Sequence, residues 1–487
     1  MSATDFSTIS PIVAAVLVAA AILLVDIIRP GSRRLAIATT LVGLAVVAGV
    51  VLWAGQSTVD AFDGAYRQDA LTTFLDLLFV AIVAFTILFA PDYLESRDLP
   101  VAEFAAVLVF AMTGAMLLAA ASDLLILFLG LELMVIPGYL LAGYAKRDAL
   151  STEGAIKYFL LGSFSSAIFL FGLAFTWGLT GSTRIDDVAR HLADMVSGGA
   201  PLSAGLAMGL AFMTTGVAFK IAAVPFHYWT PDAYQGSPTP ITGYLSVGPK
   251  VGAFALILRL FIGGLDPLRT DWLPVIEILA ALTMIMGNLV ALTQSNVKRM
   301  LAYSSIAHTG YILVGLAAYA AGRIEGLEGL LFYAAAYTFM NLGAFAVVAA
   351  LQRRPGVTSH LDTFAGLGRR EPILGVLMTL FLLSLTGIPP LAGFFGKAYV
   401  ILAAVQAGGT LTILAVIAVL NAAAAAFYYL RVVVYMYMRE PTSEAEPPRH
   451  GSLMWAGLWA AGALTIAIGV FPGPLLDAVH RAALALP

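Results

Sequence analysis

Long apolar runs follow one another along nearly the whole chain and are separated by short polar segments. A transmembrane helix needs about 20 apolar residues to cross the hydrocarbon core, and on that length the 487-residue chain divides into about fourteen predicted spans. The spans fall at 10–29, 35–54, 71–90, 101–120, 123–144, 155–180, 202–224, 240–263, 273–294, 299–320, 328–351, 372–404, 409–438 and 452–472. The polar stretches between them are too short to form a soluble domain. The pattern predicts an all-α polytopic membrane protein.

Composition supports this class and excludes several others. Hydrophobic residues make up 60% of the chain and charged residues 11%, with a mean hydropathy of +0.91, whereas a soluble domain carries roughly 25% charged residues. The chain has no cysteine, which excludes thiolate zinc sites, iron–sulfur clusters and disulfides. No two histidines have the i, i+4 spacing of a helical metal or haem site, and no basic stripe indicates nucleic acid. If the protein takes part in redox chemistry, its own side chains therefore do not carry the electrons.

The basic residues outside the spans predict the orientation. With the N-terminus outside, the loops on the inner side hold fourteen of them: Arg29, Arg33, Arg34, Arg97, Lys146, Arg147, Lys298, Arg299, Arg353, Arg354, Arg369, Arg370, Arg439 and Arg449. The outer loops hold six: Arg67, Arg184, Arg190, Arg269, Arg323 and Arg481. This asymmetry follows the positive-inside rule, so we expect a multi-pass protein of the bacterial inner membrane with both termini in the periplasm. No basic segment precedes the first apolar run, which predicts a retained span rather than a signal peptide.

Three lysines lie inside apolar spans, where charge is expensive. Lys220, Lys250 and Lys397 fall in spans 7, 8 and 12, and a charge at the membrane centre costs about 2.5–3.5 kcal/mol on insertion scales. A desolvated lysine can exchange its proton near neutral pH, and a line of such groups forms a proton relay. The alternative is that each side chain extends to the interface, which applies best to Lys220 because Pro225 breaks the helix soon after it.

Other polar residues within the spans are candidates with weaker support. Glu132 lies in span 5 and should be neutral or paired, with Lys220 as its partner if spans 5 and 7 pack together. The alternative for this pair is a purely structural ion pair. His227 and His308 either transfer protons or are neutral histidines satisfied by hydrogen bonds. Four further charged residues, nearer span ends or with available partners, are assigned structural or interfacial roles: Asp76, Arg259, Glu277 and Arg431.

Spans 7 and 12 are rich in proline and glycine. Span 7 runs into AAVPFHYWTPDAYQGSPTPIT, and span 12 contains LTGIPPLAGFFGK. Proline removes a backbone hydrogen bond, which a membrane helix tolerates only where protein or a water-filled cavity satisfies the freed carbonyl groups. Two interrupted spans, five apart in order, predict two inverted five-helix repeats, spans 4–8 and 9–13. The predicted segments are an N-terminal three-helix segment 1–100, repeats 101–265 and 266–440, and a C-terminal segment 441–487 with span 14.

Four sequence motifs in spans 7 to 12 identify a family. AVPFHYWTPDAYQGSPTPIT, VGPKVGAFALILR, NVKRMLAYSSIAHTGYILVG and LTGIPPLAGFFGKAYV resemble the antiporter-like membrane subunits of respiratory NADH–quinone oxidoreductase, most closely the subunit N type, and the likeness covers spans 4 to 13. The resemblance implies inverted repeats with broken helices 7 and 12. It also implies a coupled pair of Glu132 and Lys220, a central relay at Lys250 and a second-half site at Lys397. A lysine at the last position favours type N over type M, and the absence of a long lateral helix argues against type L.

The same resemblance implies a function. The expected protein is a proton-translocating, non-redox subunit of an H⁺-translocating NADH:quinone oxidoreductase. No cofactor or metal is expected in this chain, and FMN, iron–sulfur clusters and quinone are expected in partner subunits. The expected partners are neighbouring antiporter-like and small membrane subunits, together with the lipid bilayer. The alternatives are a subunit of a multi-subunit Na⁺/H⁺ antiporter, a related ferredoxin- or hydrogenase-linked pump, or a scaffold whose buried charges only fix helix packing.

Overall fold

The computed structural model describes residues 3–199, 202–353, 356–441 and 450–486. Arg354 and Arg449, counted above among the basic loop residues, lie outside this part of the chain. The helices of the first half are α1 (Ala3–Thr8), α2 (Ser10–Ile28), α3 (Arg33–Ala54), α4 (Ala70–Glu95), α5 (Val101–Ala120), α6 (Leu124–Ala142), α7 (Ala149–Thr180), α8 (Ile185–Ser197), α9 (Ala204–Lys220), α10 (Trp229–Gly236) and α11 (Thr239–Ile257). Those of the second half are α12 (Arg269–Thr293), α13 (Val297–Ala320), α14 (Ile324–Leu351), α15 (Leu367–Arg370), α16 (Pro372–Thr386), α17 (Ala392–Ala407), α18 (Thr410–Met438), α19 (Ser452–Val470) and α20 (Gly473–Ala483).

Three short helical turns and one hairpin complete the secondary structure of the described residues. A π-helical segment, Leu258–Gly264, continues α11, and 3₁₀ turns occur at Asp266–Leu268 and Leu361–Phe364. Strands β1 (Val59–Ala61) and β2 (Tyr66–Gln68) pair antiparallel between α3 and α4.

The helices confirm the predicted spans. Twelve helices in the described residues are long and apolar enough to cross a membrane. Predicted span 12 is divided into two shorter helices, α16 and α17, and predicted span 7 holds α9, which is followed after the break by the short helix α10. With these two broken spans the count reaches the predicted fourteen, and both breaks lie where the proline-rich motifs placed them.

Polar residues at the starts of the spans fix where the helices begin. Asp69, Asp123 and Asp148 each accept a backbone N–H from the first turn of α4, α6 and α7. Ser203 and Asn296 do the same for α9 and α13. Such caps satisfy donors that would otherwise be unpaired at the membrane boundary.

Three helices form the centre of the bundle. The apolar window of α11 is wholly buried, and those of α13 and α14 are 94% buried, whereas those of α2 and α18 are only 28% buried. The outer helices expose large apolar side chains such as Leu17 and Phe427, as lipid-facing helices do. The central helices carry Lys250 and His308, so these two polar residues lie where neither lipid nor bulk water reaches.

The β-hairpin marks one face of the membrane domain, called here the hairpin face. The backbone N–H of Phe62 in the hairpin donates to Asp5 of α1 at 3.0 Å, which places the N-terminal helix on this face. An even number of spans separates α1 from α20, so the C-terminal helix lies on the same face. There His480 of α20 contacts Glu328 near the start of α14.

Backbone hydrogen bonds repeat between the two halves. The N–H of Leu124, at the start of span 5, donates to the carbonyl of Thr183 after span 6, and Ile185 donates back to Ser122. In the second half Val297 donates to Ser359 and Leu361 donates back to Ser295, which are the equivalent positions around spans 10 and 11. The first set lies on the hairpin face and the second on the opposite face, as inverted repeats require. The division at residues 101, 266 and 441 stays a prediction.

The two helix breaks have the same backbone geometry. Ala222 follows α9 with φ +57°, and Gly387 follows α16 with φ +95°. The N–H of Ala223 donates to Ala218 at 2.8 Å, and that of Ile388 donates to Leu383 at 3.1 Å, so each first half-helix ends in the same turn. The breaks are therefore equivalent parts of the two repeats.

Candidate functional site

Lys220 lies in the last turn of α9, directly before the first break. Its amino group is buried and donates to the hydroxyl of Ser166 at 2.8 Å, to the carbonyl of Gly162 at 3.2 Å and to the hydroxyl of Tyr139 at 3.5 Å. The side chain therefore points into the helix bundle and does not extend to the interface. Its three partners are all uncharged.

Glu132 is near Lys220 without touching it. No ion pair within 4 Å joins the two side chains in the described structure, and one carboxylate oxygen of Glu132 is buried without a hydrogen-bond partner. Glu132 lies two turns, about 10 Å along the axis, from Tyr139 on the same face of α6. Glu132 is also within electrostatic range of Lys220. The expected pair is thus a coupling through space and not a contact.

The backbone groups freed by the first break are satisfied by two threonines of the second repeat. The hydroxyl of Thr309 in α13 donates to the carbonyl of Ile221 at 2.9 Å. The hydroxyl of Thr283 in α12 accepts from the N–H of Val224 at 2.9 Å. An interrupted membrane helix requires such partners. They also join the first broken helix to the second repeat.

Lys250 lies at the centre of the molecule and is held by one face of α13. Its amino group donates to the side chain and carbonyl oxygens of Ser305 at 2.7 and 2.8 Å and to the hydroxyl of Thr309 at 3.1 Å. Thr309 is the residue that bonds the carbonyl of Ile221, next to Lys220. One hydroxyl therefore connects the surroundings of the two lysines.

His308 continues this polar face toward the second repeat. Its ring nitrogens lie 2.6 Å from the hydroxyl of Tyr333 and 3.2 Å from that of Tyr429, which also bonds Ser304. A neutral imidazole donates from one nitrogen and accepts at the other, so the ring can stand between two hydroxyls without carrying charge. His308 is within electrostatic range of both Lys250 and Lys397.

Lys397 lies in α17, after the second break. Its amino group donates to the carbonyls of Leu385 and Thr386 at 2.9 and 2.8 Å, the last two residues of α16. It is also 4.8 Å from the ring centre of Tyr311. Carbonyls at a helix C-terminus favour a cation. Lys220 also sits at the end of a first half-helix, although the two lysines occupy different half-helices of their repeats.

The structure places His227 apart from this chain of contacts. It lies in the first break, half-buried, with its ring stacked on that of Tyr228. Its Nδ1 is buried without a hydrogen-bond partner. Lys250, His308 and Lys397 are thus brought together around α13, Lys220 joins them through Ile221 and Thr309, and Glu132 and His227 stand outside. The roles proposed for all six residues stay predictions.

Sequence reasoning missed the hydroxyl groups that connect the lysines. The motif YSSIAHTGY contains Ser305, His308 and Thr309 at i, i+3 and i+4, which is a polar face on a membrane helix. That spacing was the available signal for these two hydroxyls. The tyrosines that flank His308 come from α14 and α18, and no pattern in the sequence around them indicates that they contact it.

Lys298 differs from the sequence-based expectation. It was counted as a loop residue, but α13 begins at Val297 and buries it. Its amino group donates to the carbonyls of Gln235 and Ser237 at 3.1 and 2.6 Å, at the C-terminal end of α10, where a cation is favoured. A polar cavity of about 420 Å³ lies beside it on the face opposite the hairpin, lined also by Arg97 and Asp148.

In the described part of the chain, no group of three or more His, Cys, Asp or Glu side chains is arranged to hold a metal ion. The polar groups at the centre are amines, hydroxyls, an imidazole and backbone carbonyls. The amines, the hydroxyls and the imidazole carry exchangeable protons, and the carbonyls accept hydrogen bonds from them.

Comparison with known proteins identifies the family. A family model described as "NADH:quinone oxidoreductase/Mrp antiporter, TM" matches residues 121–421. NADH-quinone oxidoreductase subunit N 1 of Koribacter versatilis is 42% identical over 99% of this chain and 96% of its own length.

Solved structures agree with this assignment. A chain of respiratory complex I from Thermus thermophilus, with bound aureothin, matches with a TM-score of 0.80 and 32% identity over 96% of this chain and 99% of that one. A chain of the Mrp complex from Dietzia sp. DQ12-45-1b matches with a TM-score of 0.81 but 22% identity, over 100% and 98% of the two chains, which shows the fold alone. The chain therefore belongs to the NADH:quinone oxidoreductase/Mrp antiporter family of membrane subunits, among the homologues of NADH-quinone oxidoreductase subunit N.

Proposed function

We propose that the chain is a proton-translocating membrane subunit of an NADH–quinone oxidoreductase and that its protons move along the side chains around α13. NADH oxidation and quinone reduction, with FMN and iron–sulfur clusters, take place in partner subunits. The observation that carries this proposal is the buried line from Thr309 and Lys250 through Ser305 and His308 toward Lys397. A buried line of exchangeable groups in the dry centre of a membrane protein serves proton transfer.

The proposed order of steps begins at Glu132. A change of charge near Glu132 alters its attraction for the ammonium of Lys220. At an effective dielectric constant of about 20, unit charges about 10 Å apart interact by roughly 1.7 kcal/mol, which changes a proton equilibrium by more than tenfold. Direct contact is therefore unnecessary for control. Lys220 then passes its proton toward Lys250, and bridging water carries it where the amines lie beyond hydrogen-bond reach.

His308 is proposed to connect the two halves of the line. It accepts a proton at one ring nitrogen and releases one from the other, between Tyr333 and Tyr429. Lys397, held by the carbonyl end of α16, receives the proton on the far side. His227 is proposed as an accessory proton carrier at the first break, because its Nδ1 is free of a protein partner.

We further propose that the hairpin face is periplasmic. The inner loops identified by the basic residues then lie opposite the hairpin, where the cavity at Lys298 admits protons from the cytoplasm.

Lysine variants in the whole complex, reconstituted in vesicles, test the relay. Lys220→Ala and Lys397→Ala should abolish the proton pumping that this subunit contributes. Lys250→Arg keeps a positive charge that cannot be released, and it should block pumping while the complex still assembles. Protons pumped per NADH oxidised is the measurement. Wild-type stoichiometry in all three variants would overturn the relay and support a scaffold role.

A Na⁺/H⁺ antiporter subunit is the second candidate, because the Mrp chain shares the fold. The 42% identity to subunit N across nearly the whole chain favours the redox complex. Purification of the native assembly separates the two. Flavin and iron–sulfur absorbance in the purified complex supports the first candidate, and a colourless complex with sodium-dependent proton exchange supports the second.

A further inference from the structure

Asp76 is a buried carboxyl group without any hydrogen-bond partner. It lies in the membrane span α4 with 0% exposure, and among the described residues neither of its two oxygens has a donor within hydrogen-bond distance. The sequence pattern assigned it a structural role near a span end. A structural carboxyl group would be expected to hold a partner, and this one holds none.

The charge state of Asp76 follows from its surroundings. An ionised carboxylate that is buried without a paired cation costs far more free energy than its neutral acid. Burial without a partner therefore favours the protonated form of Asp76. A neutral carboxylic acid releases its proton more readily than the hydrogen-bonded hydroxyls around α13 do.

The same face of α4 holds an ion pair one to two turns away. Asp69, Thr72 and Asp76 are spaced i, i+3 and i+7, so they point to one side of the helix. The guanidinium of Arg259 donates to both oxygens of Asp69 at 2.8 Å, and to the hydroxyl of Thr72 at 2.8 Å. Arg259 also donates to the carbonyl of Ala119 at 2.7 Å. This buried ion pair lies between Asp76 and the hairpin face.

A tyrosine from the hairpin reaches into the same region. Tyr66 of β2 is buried, and its hydroxyl has no hydrogen-bond partner. It is within electrostatic range of Asp76, Asp69 and Arg259. The hydroxyl of Tyr66 and the carboxyl group of Asp76 are both buried and both lack a protein hydrogen bond among the described residues. Together they offer the hydrogen-bonding groups that a buried water molecule needs.

Asp76 and Lys250 lie at similar depths in two packed helices. Helices α4 and α11 run antiparallel, because Arg259 contacts Asp69 at one end and Phe89 lies beside Gly243 at the other. Asp76 is about 10 Å along α4 from Asp69, and Lys250 is about 13 Å along α11 from Arg259. The two side chains thus lie within about one helical turn of the same depth.

We propose that Asp76 is a proton-binding site between Lys250 and the hairpin face, with Tyr66 next along the path. This inference rests on the proton relay proposed above and adds its outlet. The O–H bond of Asp76 breaks, and the proton leaves through water beside Tyr66 to the hairpin side. Arg259 is the charged side chain beside the carboxylate that remains. Bridging water then carries a proton from the ammonium of Lys250 to this carboxylate, which restores the acid and leaves Lys250 as the neutral amine.

Variants of the whole complex in proteoliposomes test the site. Asp76→Asn keeps the shape but has no acid proton, and it should lose the pumping that this subunit contributes. Asp76→Glu keeps the acid and should retain it. Thr86→Val is the matched control, because Thr86 is buried in the same helix and bonds only its own helix, to Ile82. It should pump normally.

Infrared difference spectra provide a readout that does not depend on pumping. The wild-type complex should show the carbonyl band of a protonated carboxyl group, shifted in deuterium oxide, and Asp76→Asn should lack that component. If Asp76→Asn fails to assemble, Asp76→Glu should still show the band, displaced in frequency. No difference in this band between the wild type and either variant would overturn the inference.

The Lys250→Arg variant distinguishes a failure of the outlet at Asp76 from a failure of the whole relay. If Lys250→Arg blocks pumping while Asp76→Asn pumps normally, the relay stands and the outlet at Asp76 is wrong. If both variants pump normally, the relay itself fails and the outlet fails with it. If both block pumping and Asp76→Glu restores it, the outlet is supported.

Discussion

At the scale of single residues, Thr309 has a role that its chemistry alone would not suggest. It accepts a hydrogen bond from Lys250 and donates one to the carbonyl of Ile221. A hydroxyl can do both at once, whereas a carbonyl only accepts and an ammonium only donates. Thr309 therefore orients the central lysine and satisfies the helix break with a single group.

Replacing this hydroxyl should affect both stability and transport. We expect Thr309→Val to leave the buried carbonyl of Ile221 unpaired, at a cost of about 1–3 kcal/mol, and to slow proton pumping. Thr309→Ser should restore pumping because it keeps the hydroxyl. The measurements are the thermal unfolding midpoint of the purified complex and the initial pumping rate in vesicles.

Thr465→Val is the matched control for that experiment. Thr465 is buried in the outer helix α19, and its hydroxyl bonds only to Ala461 of the same helix. Normal pumping is expected in this variant. Unchanged pumping in Thr309→Val as well would show that the hydroxyl only supports the fold.

At the scale of helices, the two breaks place different residues at the same position of positive φ. Both turns need a positive φ, which glycine adopts freely and alanine does not. Gly387 meets this need in the second break, and Ala222 occupies the same place in the first. The first break is therefore the more strained of the two.

Reciprocal substitutions in the two breaks should have different effects on the free energy of unfolding. Gly387→Ala should destabilise by about 1–2 kcal/mol, and its new methyl group would also lie 3.0 Å from Cδ of Lys397. Ala222→Gly should leave stability unchanged or raise it slightly, because relief of strain offsets the added chain entropy. Thermal unfolding of the purified complex measures both. Equal stability of Gly387→Ala and the wild type would contradict the assigned strain.

Sequence reasoning recovered the helices better than their contacts. Apolar length gave the fourteen spans, and proline clusters gave both breaks, because these signals are local. The partners of Lys250 in α13 lie 55 and 59 positions away along the chain, and Arg259 reaches Asp69 across 190 positions. A sequence window gives a residue's depth along its own helix but not which neighbour it faces. The sequence alone therefore does not show which charged side chains Glu132 and Asp76 face.

At the scale of the whole molecule, the sidedness of the membrane domain can be tested by chemical labelling. The natural chain contains no cysteine, so single cysteines report without background. Ser57→Cys lies on the hairpin face and Arg147→Cys on the opposite face, and both positions are exposed. We expect a membrane-impermeant maleimide added to intact cells, after opening of the outer membrane, to label Ser57→Cys and spare Arg147→Cys. The reverse pattern would invert the proposed orientation.

The space between Lys220 and Lys250 has a consequence for energy conservation. Among the described residues, the hydrogen bond from Thr309 to the carbonyl of Ile221 links the surroundings of the two lysines, and this carbonyl holds no proton to pass on. A permanently connected wire would let protons run back down a potential worth about 2.3 kcal/mol per charge at 100 mV. In the proposed relay, this gap would insulate the subunit at rest, and a transient water would complete the path only when the charge at Lys220 changes.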